Sequence, residues 1–196
     1  MAPAVLPFLK RYPQLCVDVA SSPAHVNLVD EGLDLAIRIG VLQDSPLVVR
    51  KLAPSRLVVC ATPAYLKERG KPREPGDLAK HNCLCTSLLP WGGEWRLAGK
   101  RGEVRVAVGG SFRSNNAEML RAAALNGIGI AVLPTWAVAE PLRAGALRRV
   151  LETWEPPAST IYAVYPGNRL MSTKVRAFVD HLVRCFGRPP YWDNGL

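Results

Sequence analysis

SFRSNNAEMLRAAALNGIGIAVLP, residues 111–134, is the stretch that decides the fold. Its pattern predicts a strand, a polar turn at Ser114, Asn115 and Asn116, a helix ended by glycine, and a buried strand that ends at Pro134. A helix that begins directly after a strand presents unpaired backbone N–H groups and the positive end of its dipole. Such a start suits an anion or a polar small molecule, so the stretch predicts a ligand-binding cleft rather than a catalytic centre.

Strands and helices are predicted in alternation from the first residues to the last. The clearest helix follows Ser172, because apolar residues at 175–186 recur at helical spacing and form one continuous stripe. This alternation predicts an α/β fold with mainly parallel sheets. The other predicted elements include helices at 3–12, 26–31 and 62–69, and strands at 15–20, 33–39, 47–52, 56–60, 82–86 and 128–133, with a turn at Pro54 and Ser55.

Composition places the chain among ordinary globular proteins. Of its 196 residues, 48% are hydrophobic and 21% are charged, so it can bury a real core as one large domain or two small ones. No apolar run is long enough to span a bilayer, and the first residues lack the pattern of a signal peptide. Five scattered cysteines argue against a disulfide framework. A cytoplasmic protein without a membrane partner is therefore predicted.

The formal charge of +9 has two interpretations. A basic excess attracts nucleic-acid phosphates, but it is equally compatible with a solvated surface that favours anionic ligands. The basic residues are spread along the chain, and adjacent ones form no more than pairs, such as Lys100-Arg101 and Arg148-Arg149. No basic helix, zinc finger or RNA-binding aromatic signature accompanies them, so the solvated surface is favoured.

The sequence contains no recognised catalytic or cofactor motif. A phosphate-binding loop, a dinucleotide fingerprint and a Gly-x-Ser-x-Gly nucleophile turn are all absent. His81, Cys83 and Cys85 would share one face of a strand, but zinc sites use tighter cysteine spacing and a fourth ligand, which is not evident. Neither a metal, nor a cofactor, nor a catalytic residue is therefore predicted.

The candidate ligand contacts lie where predicted strands end, because ligands bind at the carboxyl ends of strands in open α/β sheets. They are Ser21, Ser22, Gly40, Val41, Ser114, Asn115, Asn116 and Pro134. Serine and asparagine are also standard helix caps, so the run at 114–116 has a structural interpretation as well. The two serines at 21 and 22 are equally compatible with a solvent-exposed turn. The glycine at 40 is equally compatible with a structural role in a turn.

Several short motifs, each weak alone, occur in a specific order along nearly the whole chain. Besides the opening stretch, they are Phe8-Leu9-x-Arg11-Tyr12-Pro13, Glu31-Gly32-x-Asp34-Leu35-Ala36-Ile37-Arg38-Ile39-Gly40, Ala61-Thr62-Pro63-Ala64-Tyr65-Leu66, Asp77-Leu78-x-x-His81-x-Cys83-Leu84, Tyr162-Ala163-Val164-Tyr165-Pro166 and Lys174-Val175-Arg176-Ala177-Phe178-Val179-Asp180. Because these motifs occur in this order and at this spacing, the chain resembles the effector-binding (regulatory) domain of LysR-type transcriptional regulators.

The resemblance implies a type 2 periplasmic-binding-protein-like fold, in which two Rossmann-like α/β subdomains are joined by two crossover segments. Regulatory subdomain I would hold residues 1–60 and 166–196, and subdomain II would hold residues 61–165. The crossings would lie near residues 60–62 and 163–165. A small-molecule effector, anionic or polar, would bind in the cleft between the subdomains, and hinged closure is the expected motion.

Two elements that the family normally carries are not found in the sequence. They are the N-terminal winged helix-turn-helix with its linker helix, and the first strand of subdomain I. We therefore expect an excised fragment or a late-start product, which contacts DNA only through the absent N-terminal domain. The resemblance also implies a homodimer or higher homo-oligomer, in which residues 4–19 pair with the helix at 116–126 of a partner.

Two other classes of protein stay open at this point. An α/β hydrolase-like enzyme would need an activated nucleophile within reach of a base, and the chain has only three histidines, His25, His81 and His181. A solute-binding protein of a transporter would need an export signal, which the sequence does not display. The effector-sensing regulatory domain is the function that the sequence favours.

Overall fold

The computed structural model describes residues 2–21, 27–42, 45–87, 93–167 and 172–196. In this part of the chain the α-helices are α1 (Ala2–Arg11), α2 (Pro63–Arg69), α3 (Ala117–Leu125), α4 (Thr135–Arg143) and α5 (Thr173–Phe186). The strands are β1 (Ala36–Ile39), β2 (Leu47–Ser55), β3 (Leu57–Ala61), β4 (Cys83–Thr86), β5 (Glu94–Gly99), β6 (Gly102–Ala107), β7 (Arg113–Ser114), β8 (Ile130–Pro134), β9 (Arg148–Arg149) and β10 (Ser159–Pro166). None of the helices described is long and apolar enough to cross a membrane.

The chain divides into two compact units. Unit 1 comprises Met1–Pro54 and Ser159–Tyr191, and unit 2 comprises Ser55–Ala158 and Trp192–Leu196. Within unit 2, the Arg143 guanidinium donates hydrogen bonds to the backbone oxygens of Trp192 (2.9 Å) and Asn194 (2.8 Å), which attaches the end of the chain to α4. The exact subdomain limits expected from the family resemblance stay a prediction.

A five-stranded sheet with the order β7-β4-β8-β3-β9 forms the centre of unit 2. β8 has the sequence IAVLP, and its first four residues are buried. It lies between β4, which is parallel to it, and β3, which is antiparallel. The buried central strand predicted from the apolar run at 128–133 is thus confirmed, although Ile128 itself is 45% exposed. Such a run without alternation suits a strand that is covered on both faces.

Alternate residues of the central strands contribute to two separate hydrophobic layers. One layer packs the β5–β6 hairpin on the sheet, and the other packs α3 and α4 on it. The first layer includes Val59, Val132, Trp95 and Leu97, and the second includes Val58, Leu133, Leu120 and Val138. Full burial of an aliphatic or aromatic side chain contributes about 1.5–3 kcal/mol, so both layers stabilise the sheet.

Asn82, immediately before β4, joins three segments of unit 2. Its side-chain NH2 group donates to the backbone oxygen of Ile128 (2.7 Å) and to Ser111 Oγ (3.0 Å), and its side-chain oxygen accepts from the Ser111 N–H (2.7 Å). Its backbone oxygen accepts from the N–H of Ile130 (2.9 Å). The backbones approach so closely that a Cβ on Gly129 would overlap the Asn82 backbone oxygen. These contacts fix the start of β4 against the turn that leads into β8.

The helix predicted at residues 62–69 is confirmed. α2 begins at Pro63, and the Thr62 hydroxyl oxygen accepts a hydrogen bond from the backbone N–H of Tyr65 (3.2 Å). Gly70 follows the helix with a φ of +86°, a conformation that favours glycine. Both ends are predictable from the sequence, because a threonine cap, a proline in the first turn and a glycine stop act locally.

Unit 1 contains a three-stranded sheet with the order β1-β10-β2 and the packed helices α1 and α5. The final helix predicted from the apolar stripe is confirmed as α5, and Ser172 Oγ accepts from the N–H of Val175 (3.4 Å) at its start. His181, which the predicted stripe does not include, is buried as well. Its Nε2 lies 2.8 Å from the backbone oxygen of Ala4 in α1, so the buried imidazole has a polar partner.

The prediction of mainly parallel sheets is wrong for the strand pairs described. β3 runs antiparallel to β8 and β9, β1 is antiparallel to β10, and β5 and β6 form a hairpin. Among the strand pairs whose registers are described, β4–β7 and β4–β8 are the parallel ones. The predicted turn at Pro54 and Ser55 is also wrong, since β2 continues to Ser55. β2 is an edge strand of its sheet, a position that tolerates proline.

Residues 15–20 do not form the predicted strand. Val19 is 67% exposed, and no strand in the described ranges pairs with this segment, although an extended chain needs a hydrogen-bonded neighbour to become a strand. Of the helix predicted at 26–31, residue 26 lies outside the described residues and the remainder forms a single turn. The Leu33 N–H donates to the Leu28 backbone oxygen (2.8 Å) and Gly32 has a φ of +65°, as in a Schellman motif.

Phe8→Ala is expected to destabilise unit 1 by about 3–5 kcal/mol, the usual effect of removing a buried aromatic ring. Phe8 is 1% exposed, and its ring centroid lies 4.8 Å from that of Phe178. Urea denaturation followed by far-UV circular dichroism measures the change. Leu6→Ala is the matched control, because Leu6 lies on the same helix and is 58% exposed. Equal losses in the two variants would contradict this packing.

Candidate functional site

The carboxyl ends of three parallel strands lie together at one edge of the unit 2 sheet. β4 pairs with β7 so that Thr86 is opposite Ser114, and β4 also pairs with β8, which ends at Pro134. We call this place the carboxyl edge. Ligands of open α/β sheets bind at such an edge, because side chains and helix starts from several connections converge there.

Asn116 caps α3 at the carboxyl edge, as the sequence predicts. Its side-chain oxygen accepts from the backbone N–H of Glu118 (2.8 Å), and Ser114 Oγ accepts from the N–H of Asn116 itself (3.0 Å). Ser114 is half-buried, whereas Asn115 and Asn116 are exposed. The cap therefore uses one oxygen from each of two candidate residues and leaves the Asn115 side chain at the surface.

The start of α3 also offers hydrogen-bond donors beyond the cap. In the described part of the chain, no acceptor is found for the side-chain NH2 groups of Asn115 and Asn116. The positive end of the helix dipole lies at the same place and adds about 0.3–1 kcal/mol for an anion. Donors and dipole together favour an anion at this helix start, whereas the Glu118 carboxylate in the first turn, which pairs with Arg121 at 2.8 Å, opposes it.

Arg113, the first residue of β7, adds a full positive charge to the carboxyl edge. It is exposed, and it lies opposite Cys85 of β4. Burial raises the pKa of the Cys85 thiol, and the Arg113 guanidinium, which hydrogen-bonds to that thiol, partly offsets the rise. Sequence reasoning missed Arg113, because its contact with Cys85 follows from the β4–β7 pairing, although Arg113 directly precedes the candidate turn in the sequence. Parallel pairing of the strand predicted at 82–86 with the strand before the turn would have placed Arg113 opposite Cys85, so this pairing could have predicted the contact.

Pro134 lies where β8 ends and α4 begins. Thr135, the first residue of α4, is fully buried, and its N–H donates to the backbone oxygen of Arg56 (2.9 Å). In the next position, Trp136 Nε1 donates to Ser55 Oγ (3.2 Å). These bonds hold the start of α4 to the segment that leads into β3. Pro134 thus has a fixed position at the carboxyl edge and no polar side chain to offer a ligand, and its role as a wall of the ligand site stays a prediction.

The remaining candidates belong to unit 1. Gly40 has a φ of +120°, and its N–H donates to the backbone oxygen of Thr160 (3.1 Å), so its backbone conformation alone accounts for the glycine. Val41 is 95% exposed, and Ser21 is exposed. Ser22 lies outside the described residues. A role for these four in ligand binding stays a prediction.

His81, Cys83 and Cys85 each have separate surroundings. His81 Nδ1 lies 3.3 Å from the Tyr65 hydroxyl, and partial burial lowers the pKa of this histidine, with Asp77 opposing the change. The Cys83 thiol donates to the backbone oxygen of Leu78 (3.5 Å), and burial raises its pKa to about 12. Across the ranges that the structure describes, no group of three or more His, Cys, Asp or Glu side chains is arranged to hold a metal ion.

Residues 1–186 match the LysR substrate binding domain family. The chain belongs to this family. Among its curated relatives, the HTH-type transcriptional regulator PtxR of Pseudomonas aeruginosa is 35% identical over 186 residues, which are 94% of this chain and 59% of PtxR. The HTH-type transcriptional regulator DmlR of Escherichia coli is 37% identical over 188 residues, or 95% of this chain and 61% of DmlR. This LysR-family chain thus spans about three fifths of the length of these relatives.

Solved LysR-type structures share the fold. The regulatory domain of CrgA from Neisseria meningitidis matches with a TM-score of 0.84 and 32% identity, covering 93% of this chain and 90% of that domain. Full-length AphB from Vibrio cholerae matches with a TM-score of 0.82 and 27% identity, covering 94% of this chain and 62% of AphB. The predicted periplasmic-binding-protein-like α/β fold of type 2 is therefore confirmed.

The relatives also decide between the classes of protein that the sequence left open. The curated ones named here are transcriptional regulators, and the family is regulatory rather than enzymatic. The prediction of a LysR-type effector-binding domain is confirmed at this level. The hydrolase-like and solute-binding alternatives are not favoured.

Cys60 and Cys83 are expected to resist iodoacetamide at pH 8 in the folded protein, whereas Cys16 reacts. Burial raises the pKa of both resistant thiols to about 12, so the reactive thiolate is only about one part in 10⁴ at that pH. Cys16 is exposed. Mass spectrometry after brief labelling measures each site, with urea-unfolded protein as the positive control. Labelling of Cys60 as fast as Cys16 in native buffer would contradict its burial.

Proposed function

We propose that this chain senses a small anionic effector at the carboxyl edge of unit 2 and thereby regulates transcription. The observation that carries the proposal is the start of α3, where Ser114, Asn115 and Asn116 lie beside Arg113. A carboxylate placed there would meet amide donors, a helix dipole and a guanidinium. Hydrogen bonds to charged groups contribute about 1.5–3 kcal/mol each, so two or three of them support binding in roughly the millimolar to micromolar range.

The second wall of the effector site would come from the predicted subdomain I, residues 1–60 and 166–196. Gly40 and Val41 would contribute to it, because they follow the end of β1. Ser21 and Ser22 are proposed as further contacts, although residues 15–20 form no strand. An effector held by both predicted subdomains would favour a closed arrangement over an open one. Differential affinity for the two arrangements is what allows a ligand to shift their populations.

Self-association would transmit the effector signal. α3 exposes Met119, which is 53% accessible, and the small side chain of Ala122, while α1 exposes Leu6. Apolar and small residues on these two helices support pairing of α1 from one copy with α3 from another. DNA would be contacted by a helix-turn-helix domain, which the names of the relatives indicate for those proteins. A cytoplasmic location stays a prediction.

A thermal-shift screen of mono- and dicarboxylic acids, at fixed ionic strength, tests the effector site. We expect at least one acid to raise the melting temperature, because a ligand that binds only the folded state stabilises it. Arg113→Ala and Asn115→Ala should each weaken binding of that acid about tenfold, or about 1.4 kcal/mol. Isothermal titration calorimetry measures the affinities.

Asn126→Ala is the matched control for this experiment. Asn126 lies at the opposite end of α3, where its side-chain NH2 group donates to the backbone oxygen of Ala122 (2.8 Å). It should lower helix stability without affecting acid binding. Binding that survives both Arg113→Ala and Asn115→Ala, or that Asn126→Ala weakens equally, would refute the proposed site.

Sedimentation at micromolar concentration should show a dimer that Ala122→Arg dissociates. A long charged side chain on α3 would prevent close approach of a second helix. Ala107→Arg is the control, because Ala107 is an exposed alanine on β6, and the β5–β6 hairpin packs in a different hydrophobic layer of unit 2 from α3. A wild-type chain that sediments as a monomer, or a dimer that Ala107→Arg disrupts equally, would contradict this pairing.

A further inference from the structure

A surface depression of about 250 Å³ lies on unit 2, between α2 and the edge strand β9. Four of its six lining side chains are cationic. The lining residues are Pro63, Leu66, Lys67, Lys71, Arg148 and Arg149. We propose that this depression, which we call the basic depression, is a second ligand site that binds a small organic polyanion.

The cations of the basic depression have little compensation from the protein itself. Lys71 pairs with Glu152 at 3.7 Å, and both side chains of that pair are more than half exposed. Among the residues that the structure describes, no carboxylate lies within 4 Å of Lys67, Arg148 or Arg149. Like charges held close together repel one another, so an anion that enters the depression relieves this repulsion as well as gaining attraction.

The fold presents these cations from two fixed elements. Arg148 and Arg149 stand on β9, which pairs with β3 through Ala61 and Cys60, two fully buried residues. Lys67 stands in the last turn of α2, whose start is held by its threonine cap. Because backbone hydrogen bonds fix both elements, the backbone positions of these cationic residues are set before any ligand arrives, which lowers the entropy lost on binding.

The lining also indicates the chemical class of the ligand. Arginine binds carboxylate and phosphate groups in a bidentate manner, whereas lysine acts as a point charge for either group. Pro63 and Leu66 add an apolar wall, which suits the carbon skeleton of an organic molecule. A concave space of this size fits a compact molecule with two or more negative charges, such as a tricarboxylate or a phosphate compound.

The basic depression is separate from the carboxyl edge. Along β3, Leu57 pairs with Pro134 at one end and Ala61 pairs with Arg148 at the other. Four residue steps in an extended strand span roughly 14 Å, so the two places lie at opposite ends of the same strand. Variants of one can therefore be made without touching the other, and the inference does not depend on the proposed effector site.

Titration of the chain with citrate and with pyrophosphate, at fixed ionic strength, tests the proposal by calorimetry. At least one of the two anions should bind, and the difference between them distinguishes carboxylate from phosphate chemistry. The double variant Lys67→Ala, Arg149→Ala should weaken binding at least tenfold. The single variant Lys67→Gln, which removes an exposed charge only, should weaken it by a smaller factor while leaving the melting temperature of the free protein unchanged.

The control is the double variant Lys100→Ala, Arg101→Ala, which removes the same net charge from the exposed β5–β6 turn. It should leave binding unchanged. Equal weakening by the control would show a general charge effect and overturn the proposal. So would the absence of binding by both anions, a loss of binding in Arg113→Ala, or binding of duplex DNA alone that the Lys67 and Arg149 substitutions abolish.

Discussion

The arrangement of unit 2 depends on the hydrogen bonds of one side chain, Asn82. Its amide joins the start of β4 to the loop before β7 and to the turn before β8, and its backbone oxygen begins the β4–β8 pairing. Since the close approach at Gly129 excludes a Cβ, the register of these strands is set at one end of the sheet. That register also determines which residues lie next to one another at the opposite end of the sheet, where Ser114 and Pro134 are found.

Sequence patterns predicted the elements whose causes are local. α2 carries its threonine cap and glycine stop within ten residues, and α5 carries its cap and its apolar stripe within fifteen, so both could be predicted. Strand direction and pairing are not local. Residues 15–20 alternate as a strand would, but nothing in the alternation indicates whether a neighbour is present to bond with them. The antiparallel direction of β3 relative to β8 and β9 likewise depends on the whole sheet, and no residue within β3 indicates it.

The same distinction applies to the functional surfaces. The cap at Asn116 is local and was predictable, whereas the contact of Arg113 with Cys85 depends on the pairing of β4 with β7. The basic depression could not be found from sequence at all, because α2 and β9 are about eighty residues apart in the chain. The paired arginines at 148 and 149 look like ordinary solvated charges until the sheet places them beside Lys67.

β9 is the outermost strand of its sheet, and it consists of two arginines. An outer strand has unpaired backbone groups that can recruit a strand from another molecule, and charged side chains discourage such recruitment. The two arginines therefore oppose pairing of β9 from one copy with β9 from another, because their like charges repel. A polyanion bound to them would cancel part of that repulsion, so occupancy of the basic depression would leave β9 more available to a strand from another molecule.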